Sequence, residues 1–148
     1  MGAYVSVYFS PNRGAAEVII GFIDRCVETI DVAIYALTHD DIADALLRAQ
    51  ARGVRVRVLM DKTQAGSKYA DDEKLAAGGV EVRLDNQTGI QHNKFLIGDG
   101  VSVKTGSFNW TVNADERNAE NFVVLRLKYV VKAFAAEFES LWEQNAPV

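Results

Sequence analysis

The sequence predicts an α/β/α sandwich in which a central, mixed but mostly parallel β-sheet is covered by helices on both faces, with residues 1–148 forming one domain. Three observations predict it. Stretches of two-residue alternation give way to three- and four-residue periodicity and back again along the chain. One interior strand, Asp31 to Leu37, is almost continuously apolar, as a strand buried on both faces must be. Finally, the segment from Asp31 to Met60 reads strand, helix, strand, which is the right-handed crossover that sets parallel strands under a helix.

The elements follow in order. Tyr4 to Phe9 alternates as a strand does, and Ser10-Pro11-Asn12-Arg13-Gly14 is a loop cluster. Val18, Ile19, Phe22, Ile23, Cys26 and Ile30 then recur at helical spacing, which predicts an amphipathic helix reaching Ile30. After the strand Asp31 to Leu37, the residues Thr38, Asp40 and Asp41 offer N-caps for a helix to about Ala51 that turns Ile42, Ala45, Leu46 and Ala49 inward and stops at Gly53. Val54 to Met60 is the next strand. Thr63 to Ala77 reads as polar loop and short helix, closed by Gly78-Gly79 before a strand at Val80 to Leu84. Gln91 to Ile97 and Val101 to Lys104 are strands joined by the tight turn Gly98-Asp99-Gly100. Asn121 to Leu127 is the last strand, and Tyr129 to Glu143 a closing helix with Val131, Phe134, Phe138, Leu141 and Trp142 on one face.

Composition narrows the function classes. At 148 residues and 49% hydrophobic the chain has material for a real core, so it is no disordered tail. One cysteine, Cys26, and two histidines cannot form an internal disulfide or a structural zinc site of the usual Cys/His type. A net charge of -4 argues against gripping nucleic acid through bulk positive charge. No window approaches the roughly 18 consecutive apolar residues of a spanning helix. The start, Met1-Gly2-Ala3, lacks a basic segment followed by an apolar run and so reads as no secretory signal, which leaves the compartment open between cytoplasm and export with signal removal.

The chemistry concentrates in Gln91-His92-Asn93-Lys94-Phe95-Leu96-Ile97-Gly98-Asp99 and Gly106-Ser107-Phe108-Asn109. On an extended strand residues two apart share a face, so His92 and Lys94 project together and Phe95 and Ile97 point away into the core. The same rule pairs Ser107 with Asn109. An acid/base or nucleophile, a cation and two neutral donors on one side suit a phosphate ester, which needs attack, charge neutralisation and oriented donors for its non-bridging oxygens. Asp99, set between two glycines, reads as a turn residue with a structural role. His39, at the C-terminal end of a strand, and Trp110, beside Phe108 next to the motif, are candidates for holding a nucleic-acid strand and stacking on its bases. Helix-cap and core roles are their alternatives. Arg55 and Arg57 alternate with valines and read as a solvated strand end.

These residues resemble the phospholipase D superfamily, whose signature H-x-K-x4-D-x6-G-S-x-N is matched at His92, Lys94, Asp99, Gly106, Ser107 and Asn109. A chance match at six fixed positions is on the order of one in a million for a chain this long. Tyr8-Phe9-Ser10-Pro11, Ala36-Leu37-Thr38, Ile42 to Leu46 and Asn118-Ala119-Glu120-Asn121 extend the likeness to the small single-motif bacterial endonuclease branch. The resemblance implies a metal-independent phosphodiesterase acting on nucleic acid, DNA or RNA, without a cofactor. Most members carry two motifs and this chain one, so it also implies a twofold homodimer with the active site on the axis. His92 would be the nucleophile that forms a phosphohistidine, with the second subunit's copy as general acid and base. Lys94, Ser107 and Asn109 would hold the phosphoryl oxygens, and Glu120 would accept from the other ring nitrogen of the histidine. Pairing doubles the charge to -8, so affinity must come from a local field around two copies of Lys94 and must be salt-sensitive. Two further readings stand beside this one: a phospholipid diesterase, against which counts the lack of any membrane anchor in the sequence, and a nucleic-acid-binding module without catalysis.

Overall fold

The computed structural model describes residues 4–147, so the reading of Met1-Gly2-Ala3 as no signal lies outside the described residues. Seven strands form one sheet: β1 (Val5–Phe9), β2 (Thr29–Ile34), β3 (Arg55–Asp61), β4 (Glu81–Asp85), β5 (Lys94–Gly98), β6 (Ser102–Gly106) and β7 (Asn121–Leu125). The helices are α1 (Ala15–Arg25), α2 (Asp40–Ala51), α3 (Asp72–Ala77), α4 (Val112–Glu116) and α5 (Lys128–Glu143). The strand order is β1-β7-β6-β5-β2-β3-β4.

Strand alternation divides the core into two layers. Ile30, Val32 and Ile34 of β2, Val56, Val58 and Met60 of β3, and Leu96 of β5 pack with Ile19 and Ile23 of α1 and Ile42 and Leu46 of α2. Ala33, Leu59, Phe95, Ile97 and Val103 face the other way, against Val131, Phe138 and Trp142 of α5. The mixed sheet between helical layers is the fold class the sequence predicts. The balance within it differs. Only β2–β3 and β3–β4 are parallel, whereas β1–β7, β7–β6, β6–β5 and β5–β2 are antiparallel. The crossover helix α2 dictates parallel pairing where it occurs, and the short connection through Gly98-Asp99-Gly100 can only return the chain antiparallel.

Boundaries also differ, among them the strand expected over Asp31 to Leu37, which runs Thr29–Ile34, and the one expected over Val101 to Lys104, which runs Ser102–Gly106. Ile30 lies in β2, because α1 ends at Arg25 and the carboxylate of Asp99 takes the N–H groups of Val27, Glu28 and Thr29 at 2.7–3.1 Å, turning the chain into the strand. The strand expected from Gln91 begins at Lys94. Asp61 Oδ1 accepts from Gln91 N at 2.7 Å and Gln91 Oε1 from Asn93 N at 2.8 Å, so these groups bond outside the sheet ladder. Arg57, expected in solvent, is only 7% exposed. It bonds Asp31 at 2.7 Å and also the exposed Glu139 of α5, so an ion network centred on a buried guanidinium fastens that helix to the sheet.

Candidate active site

The irregular passage 91–93 gives His92 its place. Held on either side by the Asp61 and Gln91 bonds, it is exposed just before β5, while Lys94, the first strand residue, is buried at 9% exposure. Lys94 Nζ lies 2.8 Å from the carbonyl oxygen of His92 and 2.9 and 3.1 Å from the two ring nitrogens. The two side chains therefore share one face, with the amine beneath the imidazole. Burial pushes the Lys94 amine below its ordinary range, and the negative charge of Glu120 restores part of the loss.

β6 and β7 deliver the other half. Antiparallel pairing sets Phe95 opposite Thr105 and Gly106 opposite Phe122, which brings the loop after Gly106 beside the start of β5. Ser107 is exposed, and its Oγ accepts from Asn121 N at 3.1 Å while its own N–H donates to Asn121 O at 2.9 Å. Asn109 is half-buried and accepts through Oδ1 from Ala36 N at 3.2 Å, so the oxygen end of its amide is tied to the main chain. The carboxylate of Glu120 accepts from Asn118 Nδ2 at 3.3 Å. Its expected bond to the His92 ring is not made within the chain, since that ring lies against Lys94 and Tyr35.

Two expectations are corrected. Trp110 is completely buried, with its main chain bonded to Ala36, Thr38 and His39, so it offers no face to a base; Phe108 is equally buried. His39 is 8% exposed and turned toward Asp115, with Nε2 to Oδ2 at 3.6 Å, and occupies the N-cap position of α2. Packed this way it does not present itself to a nucleic-acid strand. Tyr35 was not singled out by the sequence, where it sits inside an apolar run. Its ring meets the His92 ring edge-on at 4.6 Å, and its hydroxyl accepts from Gln64 Nε2 at 3.0 Å. A tyrosine at the C-terminal end of a strand, where α/β sheets bind ligands, was the available signal.

Asp99 stands apart from this cluster. Burial alone would raise its carboxyl, but the N–H groups of Glu28, Thr29 and Val27 and the charge of Arg52 together hold it below the usual carboxylate range. A carboxylate with a depressed folded pKa adds stability above the ordinary aspartate value and loses it as pH falls through the folded one. Asp99→Asn should therefore cost about 2 kcal/mol at neutral pH. Denaturant unfolding checks it: the gap between wild type and variant should close as pH falls below the ordinary aspartate range and through the depressed folded pKa.

The site and fold can be set beside known proteins. A family model described as cardiolipin synthase, PLD-like domain matches residues 19–142. The chain belongs to the phospholipase D family. A phospholipase D of Rickettsia conorii is 38% identical over 130 residues, 88% of this chain and 65% of the relative. A mitochondrial cardiolipin hydrolase of Chlamydomonas reinhardtii is 36% identical over 124 residues, 84% of this chain and 56% of the relative. The chain thus spans between about half and two thirds of the length of these curated relatives. Among solved structures, the phospholipase D family member Nuc of Salmonella typhimurium superposes with a TM-score of 0.92 at 32% identity, covering 97% of each chain. NucT of Helicobacter pylori gives 0.90 at 26% identity, covering 97% of this chain and 98% of the other. His92 and Lys94 lie within the stretch that the family model matches.

Proposed function

We propose that this phospholipase D family domain is a metal-independent endonuclease that works as a twofold dimer. The observation that carries the reading is the exposed His92 imidazole stacked over the buried Lys94 amine, with Ser107, Asn109 and Glu120 brought beside it by β6 and β7. His92 of one protomer attacks phosphorus, forming a P–N bond as the P–O bond to the leaving group breaks. The partner subunit's His92 protonates the leaving oxygen, then takes a proton from the water that hydrolyses the phosphohistidine. The lysines neutralise the non-bridging oxygens, and Ser107 and the Asn109 amide orient them. Glu120, by its negative charge, favours the charged form of Lys94. Because the groups address phosphate and no base edge, cleavage should show weak sequence preference. The openness of the His92 surface and the end-to-end match to the Nuc structures favour a polymer substrate.

The dimer has support in an uncovered part of the sheet. Val5, Val7 and Phe9 of β1 are 47%, 53% and 50% exposed. They pair in register with Leu125, Val123 and Asn121, on the face that α5 covers over β2, β5 and β6. This apolar strip runs up to Asn121, the residue to which Ser107 is bonded. A second copy laid there would bury the strip. Val7→Glu should give a monomer by analytical ultracentrifugation and lower cleavage at least tenfold. Mixing wild type with an equal amount of His92→Ala, after subunit exchange, should leave about a quarter of the activity, because only dimers with two histidines turn over; half would mean that each chain acts alone.

The lipid-named relatives support a second reading, a phospholipid diesterase. Plasmid DNA, single-stranded RNA and phosphatidylcholine or cardiolipin vesicles, each offered with chelator present, separate the two. Nucleic-acid cleavage that chelator abolishes, or lipid cleavage alone, would overturn the proposal.

A further inference from the structure

Lys104 belongs to none of the six motif positions, yet it is the most unusual polar group in the fold. It lies in the middle of β6, opposite Leu96 of β5 and Val124 of β7, and is 1% exposed. The rings of Phe122 and Phe108 lie 5.0 and 5.8 Å from its amine. Among the described residues its bonded partners are two main-chain oxygens and no carboxylate: the carbonyl of Lys94 at 3.4 Å and the carbonyl of Phe108 at 3.3 Å. An aliphatic side chain would fill this place without the cost of burying an amine. What the amine supplies, and an aliphatic chain does not, is a link between two stretches of backbone.

Those stretches are the two halves of the site. The Lys94 carbonyl belongs to the first residue of β5, two positions after His92. The Phe108 carbonyl lies between Ser107 and Asn109. We propose that Lys104 is a positioning residue for phosphodiester cleavage: its amine draws these two carbonyls to one point, fixing the spacing between the histidine-lysine strand and the serine-asparagine loop. The inference rests on the phosphodiesterase site described above and adds a residue to it. Its geometry is also sensitive to the site's occupant. Burial, with a smaller contribution from the charge of Lys94, pushes the Lys104 amine down to about 7 from an ordinary 10.5. Lys94 on β5 is the charged group whose field reaches it; the facing residues of β5, β7 and the motif loop, Leu96, Val124, Phe122 and Phe108, are apolar. A phosphate held by Lys94 offsets that field, so the Lys104 amine should hold its proton more firmly when the site is filled.

A folded pKa below the unfolded one means that Lys104 subtracts most stability below about pH 7 and none above about 10.5. Lys104→Met should therefore melt at or above the wild-type temperature at pH 6.5. Its kcat on bis(p-nitrophenyl) phosphate should nevertheless fall at least tenfold, with KM within threefold. A merely structural lysine would lose activity only in step with stability. A folded Lys104→Met with kcat within twofold of wild type overturns the proposal. Should that variant not fold, the wild-type chain still decides by NMR of its lysine side chains: saturating tungstate, a phosphate mimic, should raise the titration midpoint of Lys104, and an unmoved midpoint overturns the proposal. A wild type that hydrolyses neither nucleic acid nor bis(p-nitrophenyl) phosphate instead fails the function proposed above, while the tungstate titration still reads Lys104.

Discussion

His92→Ala should leave the fold unchanged and lower cleavage by about 10⁴-fold or more, the scale seen when the nucleophile of a covalent mechanism is removed. The fold is safe because the His92 side chain is exposed and precedes β5. The bonds that shape its surroundings, Asp61 to Gln91 N and Gln91 Oε1 to Asn93 N, use no atom of His92. Lys94 cannot substitute as nucleophile, because it is buried and its amine is engaged by the His92 carbonyl. The loss should fall on kcat. In the wild type, a denaturing quench at alkaline pH during turnover, which preserves the acid-labile P–N bond, should trap a phosphoryl or nucleotidyl group on a His92 peptide, read by mass spectrometry. A His92→Ala enzyme within tenfold of wild type would reduce His92 to an ordinary surface histidine. Chemistry would then have to pass to another residue.

Much of this site is legible in the sequence because its signal is local. His92 and Lys94 are two apart, and Ser107 and Asn109 are two apart, so strand geometry alone shows which side chains can act together. What spacing does not reveal is which main-chain groups a polar side chain will take. Asp99 reads as a turn residue, yet its carboxylate works on Val27 to Thr29, about seventy residues earlier, and that bonding explains why α1 stops short of Ile30. Trp110 and His39 read as candidates for contact with nucleic acid, with core and helix-cap roles as the alternatives. They are buried because the loop after Asn109 bridges to Leu37 and bonds back to Ala36, Thr38 and His39. Tyr35 and Lys104 were missed for the opposite reason: each sits in a stretch that reads as a strand whose pattern looks complete without it. Their significance appears only when β2, β5 and β6 lie side by side, an arrangement that depends on long-range pairing and not on local period.

Gly106→Ala should be the most damaging change of a single methyl group in the motif, lowering stability by about 3 kcal/mol or more and cleavage with it. A Cβ at this position would stand 2.2 Å from the carbonyl oxygen of Asn121 and 2.6 Å from Cα of Phe122. Both are main-chain atoms, so no rotamer change can relieve the clash. β7 cannot retreat either, because its far side is paired to β1, Tyr8 to Phe122 and Phe9 to Asn121, while Phe122 packs on Phe108 and Tyr8. The strands must separate where Ser107 bonds Asn121, which displaces Ser107 and the approach of Glu120 to Lys94 together. Gly100→Ala is the matching control. That glycine also has positive φ, at 65°, but a Cβ there meets nothing within 4 Å, so only backbone strain of about 1 kcal/mol is expected, with cleavage unchanged. Denaturant unfolding and cleavage rates for the two variants separate the meanings of glycine here: a turn conformation at Gly100, and at Gly106 a distance between strands that the phosphate site requires. Equal losses in the two would make Gly106 a matter of backbone strain alone.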